Sequence, residues 1–177
     1  GINSKVGKYD FFISNNDKIK ADKFIKSIGK VTRIGINLEG SYKEKRILKD
    51  DLELICKGIH KVHKNIKIIL LSSPENNPIL HKIVTDFKLD YVIPSYLTKS
   101  INDVAAIIER LDLIITPDTS IVHIAGAFNK PVISIHEKNP DSFRLWAPIS
   151  SISHTVFAES SYGIVNYNVE EVIDSAI

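Results

Sequence analysis

Residues 111–136 read LDLIITPDTSIVHIAGAFNKPVISIH, and this pattern decides the fold. Leu113, Ile114 and Ile115 form a short apolar run rich in β-branching, the composition of a buried strand. Pro117 is expected to break it. Asp118, Thr119 and Ser120 follow, all residue types that favour helix N-termini. Ile121, Ile124, Ala125 and Phe128 then recur at helical spacing. Asn129 and Pro131 stop the helix, and Val132, Ile133 and Ile135 begin a second buried strand. A strand, a tight turn, a short helix and a strand make the repeating unit of a parallel α/β sheet.

The turn inside this unit carries chemistry. The first backbone N–H groups of a helix have no intrahelical partner, and the helix dipole places partial positive charge there. At the carboxyl end of a sheet strand, such a helix start is an anion site. Thr119 and Ser120 add hydroxyl donors. Asp118 would repel a phosphate set directly against it, so it suits a cap, or a ribose or sugar hydroxyl beside the phosphates. His123 lies one turn into the helix, where an imidazole can donate to the same anion.

Outward from this stretch, 177 residues suffice for one domain with a real core. A hydrophobic content of 44% with 25% charged residues is a globular balance. A formal net charge of +2 argues against the concentrated basic face of a nucleic-acid-binding protein. No apolar run approaches the length of a transmembrane segment, and the start, GINSKVGKYDFF, has no apolar signal core. Cys56 stands alone, so no internal disulfide can form, and its place on an apolar helical stripe predicts a buried, inert thiol. These features suit a cytoplasmic protein. The lack of methionine and the Gly-Ile-Asn start lead us to expect a piece of a longer chain.

Periodicity predicts helices over 17–28, 50–64, 77–87 and 169–177, the last capped by Asn168, and another opening at Ser100 with Asp103 in the capping-box position. Strands are expected over 31–38, 66–71, 91–93 and around 155–157, with loop over most of 136–161. Residues 1–30 read as a leading linker and helix, and 31–177 as a single domain. His60 and His63 lie three apart, but nothing acidic or thiol completes a metal set, and they read as surface histidines. Residues 39–47, EGSYKEKRI, run from a strand end through a Gly-Ser turn into Lys43, Lys45 and Arg46. Such a charge run alone is a solvated surface. A lysine at a strand's carboxyl edge can also neutralise a leaving diphosphate.

The ordered pattern D-T-S-x-x-H-x-A-G-A-x-x-x-P-V, from Asp118 to Val132, resembles the D-T-G-x-x-H-x-A-A-A-x-x-x-P-V signature of glycosyltransferase family 9, which includes the lipopolysaccharide heptosyltransferases. Ser120 stands where that family has Gly. The W-x-P formed by Trp146 and Pro148, and the strand, hydroxyl loop and lysine around Ser41 and Lys45, are similar to other stretches of the family. The resemblance covers most of the chain, though only the central motif is specific.

The resemblance implies a doubly wound, mostly parallel Rossmann-like α/β sheet with helices on both faces, the C-terminal half of a GT-B fold, with the N-terminal acceptor domain absent. It implies transfer of a sugar, heptose from ADP-heptose, to a lipopolysaccharide (lipid A core) acceptor bound through the missing domain. Inversion at the anomeric centre is expected, with no metal and no cofactor beyond the nucleotide-sugar donor, in the cytoplasm or peripherally at the inner face of the inner membrane. It assigns Thr119 and Ser120 to the diphosphate, Ser41 to its support, Asp118 to sugar or ribose hydroxyls and Glu75 to the ribose. Lys45 and His123 stabilise the charge of the leaving group. The family's general base lies in the absent half, so this fragment alone is expected to bind nucleotide without turnover. Residues 96–99 occupy the loop that walls the family's base pocket, although Tyr96 fits plain packing equally.

Other classes fit less well. A dinucleotide dehydrogenase needs G-x-G-x-x-G after the first strand, and the chain has Leu38-Glu39-Gly40-Ser41. A haloacid-type phosphatase needs two aspartates one residue apart after a strand. Ser120 and His123 lack the G-x-S-x-G elbow of a hydrolase. A non-catalytic nucleotide-binding module and a nucleotide-sugar epimerase of GT-B architecture remain as alternatives.

Overall fold

The computed structural model describes residues 9–177. The first half of the leading linker therefore lies outside the described residues. Helix α1 (Asn15–Ile28) opens on Ser14, whose hydroxyl accepts from the Asp17 N–H, and closes on Gly29 at φ +88°. Strand β1 (Thr32–Asn37) leads through a 3₁₀ turn (Lys43–Lys45) to α2 (Lys49–Val62) and β2 (Ile66–Leu71). Helix α3 (Asn77–Phe87), β3 (Val92–Pro94), α4 (Ile101–Ile108) and β4 (Leu113–Pro117) follow, then α5 (Ser120–Ala127) and β5 (Val132–His136). The described chain ends with α6 (Pro140–Trp146), β6 (Ser153–Phe157) and α7 (Val169–Ser175).

The strands form one sheet in the order β3-β2-β1-β4-β5-β6, with every pairing parallel. This is the order of a doubly wound, Rossmann-like α/β fold. Alternation along β2 shows why helices cover both faces. Ile66, Ile68 and Leu70 pack with Leu52, Ile55, Ile59 and Leu80 of α2 and α3, and with Val172 of α7. Ile69 and Leu71 point the other way, to Val104, Ile107 and Ile108 of α4 and Ile121, Ile124 and Ala125 of α5. Phe24, Ile25 and Ile28 of α1 close over that second core. A strand apolar on both sides can be buried only between two helix layers.

Two local expectations are corrected. Pro117 does not break β4 but forms its last residue, paired with Ile135, and the ladder continues through the Asp118 N–H to the Ile135 carbonyl at 2.9 Å. At the strand's end, the missing proline donor costs no internal ladder bond. The segment after β5, expected as loop, contains α6, capped by the Asn139 side chain accepting from the Ser142 N–H. None of the residues of α6 is buried, so it has no apolar period to read. The Asn129 stop is as expected: at φ 50° it ends α5 while the Asn129 and Lys130 N–H groups return to the Gly126 and Ala125 carbonyls, a Schellman closure.

Candidate functional site

The sheet order reverses between β1 and β4, and the ends of both strands open onto one cavity. Across that switch point, Asn37 Nδ2 donates to Thr116 Oγ1 at 3.0 Å. The cavity has a volume of about 450 Å³ and lies beyond the carboxyl ends of β1, β2 and β4. Ser41, Arg46, Ser73, Asn76, Thr119 and Ser120 bring polar groups to it, and Ile101, Val104 and Ile121 form its apolar side. In open α/β sheets this crevice is where ligands bind. Thr119 is the cap of α5, its hydroxyl accepting from the Ile121 N–H at 3.1 Å. Ser120 begins the helix with an ordinary backbone φ, so a side chain here, where the resembling family has glycine, causes no backbone strain.

Glu39 and Arg46, to which the sequence reading gave no role, shape this cavity. The Glu39 carboxylate accepts from the Ser73 N–H (3.1 Å), the Ser73 hydroxyl (2.9 Å) and Asn76 Nδ2 (2.6 Å). It ties the end of β1 to the loop before α3. Glu39 and Arg46 also pair through their backbones in an isolated antiparallel bridge. Gly40 permits the turn between them, since an added Cβ would meet the Lys45 carbonyl oxygen at 2.6 Å.

Lys45 points elsewhere. Its Nζ lies 2.9 Å from Asp118 Oδ2 and 3.8 Å from Glu137 Oε2, all three side chains being nearly buried. Glu137 Oε2 accepts in addition from the Tyr42 hydroxyl (2.8 Å) and the Gly163 N–H (3.2 Å). The Tyr42 ring stacks on Tyr162 with 5.0 Å between centroids, and the Lys45 ammonium sits 5.2 Å from its centre. Burial, and then the bond to Glu137, push the Tyr42 phenol pKa up and keep it neutral. His136, at the end of β5, places Nδ1 3.9 Å from Asp118 Oδ2, while its buried Nε2 has no partner. Burial dominates there and lowers the imidazole pKa, against the opposing pull of Asp118.

The structure thus brings Ser41, Thr119 and Ser120 to one cavity, and sets Lys45 and Asp118 against each other beside it. Glu75 is exposed on the loop before α3 and is not among the lining residues. His123 packs edge-on against Tyr9 (5.5 Å) and Trp146 (5.6 Å), with Nδ1 buried and unpartnered. Tyr96 is packing: its ring meets Phe24 and its hydroxyl donates to the Asp103 carbonyl.

The sequence profile of glycosyltransferase family 9 (heptosyltransferase) matches residues 1–162. The chain belongs to glycosyltransferase family 9. As a family 9 chain it shares its fold with a family 9 glycosyltransferase from Veillonella parvula, at TM-score 0.78 and 18% identity over 98% of this chain and 53% of that one. It is similar also to E. coli ADP-heptose lps heptosyltransferase II, at TM-score 0.72 and 14% identity, covering 94% and 51% of the two chains. A third, E. coli heptosyltransferase WaaC, superposes at TM-score 0.66 and 15% identity over 89% and 48%. This family 9 chain spans about half the length of these proteins. No curated protein matches it. Among the described residues no helix is long and apolar enough to cross a membrane.

Proposed function

We propose that this chain is the donor-binding half of a glycosyltransferase that moves heptose from ADP-heptose to a lipopolysaccharide core acceptor, in the cytoplasm at the inner face of the membrane. One observation carries the reading: in a family 9 chain, the first turn of α5 opens onto a hydroxyl-lined cavity at the sheet's switch point. The start of α5, with Thr119, Ser120 and Ser41, receives the diphosphate. Solved structures of E. coli WaaC hold ADP and ADP-2-deoxy-2-fluoro heptose, which supports this donor class.

Asp118, beside the cavity, orients a sugar or ribose hydroxyl. Glu75, on the loop before α3, is assigned to the ribose by the family pattern alone. Lys45 acts through Asp118, fixing the carboxylate it holds, and His123 lowers the cost of charge growing on the diphosphate as the sugar departs. The acceptor and the general base belong to the remainder of the protein. Titration calorimetry with ADP, UDP and GDP tests the reading. Saturable binding is expected, tightest for ADP, and no heat from any of the three at millimolar concentration overturns it.

A further inference from the structure

We propose that Glu39 is a positioning residue for the nucleoside of the donor: it grips both ends of the tight turn that carries Glu75 and so sets one wall of the cavity. The proposal rests on the donor-site reading above and names the group that shapes the nucleoside end of that site. Residues 73–76 close as a single turn, the Asn76 N–H donating to the Ser73 carbonyl at 3.1 Å. Pro74 holds the second position, where its fixed φ suits a turn, and Glu75 the third.

Glu39 takes hold of this turn at its first and last residues. Oε2 accepts from the Ser73 N–H and hydroxyl, and Oε1 accepts from Asn76 Nδ2. The Glu39 side chain is 14% exposed, and the residue lines the cavity. Its backbone is anchored in turn. Asn37 Nδ2 donates to the Glu39 carbonyl at 2.8 Å and also to Thr116 Oγ1. A line of bonds therefore runs from β4 through the end of β1 to the loop after β2. Asn76 shows which task the loop serves. It is the N-cap of α3, a position where asparagine ordinarily accepts from the first helical N–H groups. Its side chain makes no such bond and gives its amide to Glu39 instead.

In the sheet order β1 lies between β2 and β4, so the loop after β2 and the start of α5 stand on either side of β1. With the diphosphate at the start of α5, the nucleoside falls toward residues 73–76 and the apolar side formed by Ile101 and Val104. Without the Glu39 carboxylate the turn loses three bonds to the end of β1. Nucleotide binding must then order a loop that was already in place, and that ordering costs affinity.

The test combines ADP titration with amide hydrogen exchange on the unchanged protein, Glu39→Ala and Glu39→Gln. Glu39→Ala should weaken ADP roughly 10-fold, the size of one lost bond to a charged group. Exchange should quicken at residues 73–76 and stay unchanged in β2 and β4. Glu39→Gln keeps an acceptor for Ser73, so it should recover part of both losses, and it carries the test by itself if Glu39→Ala does not fold. Equal ADP affinity in the variants and the unchanged protein overturns the Glu39 assignment. Faster exchange spread through the sheet overturns it too, by making the effect one of general stability, and both results leave the donor site standing. Failure of the unchanged protein to bind ADP, UDP or GDP at millimolar concentration overturns the donor-site reading and this proposal with it.

Discussion

Lys45 Nζ and Asp118 Oδ2 lie 2.9 Å apart, each side chain 8% exposed, although 73 residues separate them in the chain. The pair fastens the turn after β1 to the end of β4, across the point where the sheet order reverses. Removing Lys45 leaves Asp118 and Glu137 buried without their cation, which costs about 3–5 kcal/mol. Lys45→Ala should therefore unfold at a clearly lower urea concentration. The double variant Lys45→Ala with Asp118→Ala should lose less than the sum of the single changes. Additive losses in that cycle would mean that the two charges do not couple.

Gly40 makes a second expectation concrete. Its Cα faces the backbone of Lys45, not the flexible end of a side chain, so a methyl group has nowhere to go unless the turn shifts. Gly40→Ala should cost roughly 1–3 kcal/mol, as overpacked sites do. It should also weaken ADP binding, because the turn carries Ser41. Urea denaturation and calorimetry on one preparation check this. An unchanged midpoint and affinity would show that the turn relaxes freely.

His136 sets an acid limit on stability. Its folded pKa lies below the unfolded value near 6.5, chiefly because it is buried. Above that value both states hold the ring neutral, and the folded state loses nothing. As pH falls below it, the unfolded chain takes up a proton that the folded protein excludes, so stability drops by at most about 1.4 kcal/mol per pH unit until the folded pKa is reached. Asp118, Lys45, Glu137 and His123 are the charged and titratable groups acting on the ring. His136→Leu should make the acid limb of a stability-versus-pH curve shallower, and an unaltered slope would assign that limb to other groups.

Cys56 is fully buried on the inner face of α2, and burial pushes its thiol pKa up to about 12. The thiolate is the reacting form, so a disulfide reagent at neutral pH should label the native protein very slowly and the urea-unfolded protein at the rate of a free thiol. Rapid native labelling would show that α2 opens readily from the sheet.

Sequence alone determined what is encoded locally. The run IKIILL became β2 at Ile66–Leu71, and the apolar period of residues 77–87 became α3 with the same bounds. That α5 starts among Asp118, Thr119 and Ser120 and stops at Asn129 was equally legible, because capping and left-handed closure depend only on residues within a turn of one another. Only the tertiary structure decided the site. Whether Lys45 or Arg46 turns inward, whether Asp118 meets an ammonium, and whether Glu39 and Glu137 serve as clamps all depend on strand ends that parallel crossovers bring together from distant parts of the chain. A charge run reads the same whether its members are solvated or buried, since the energy that separates the two cases comes from partners placed by the fold and not by neighbouring residues.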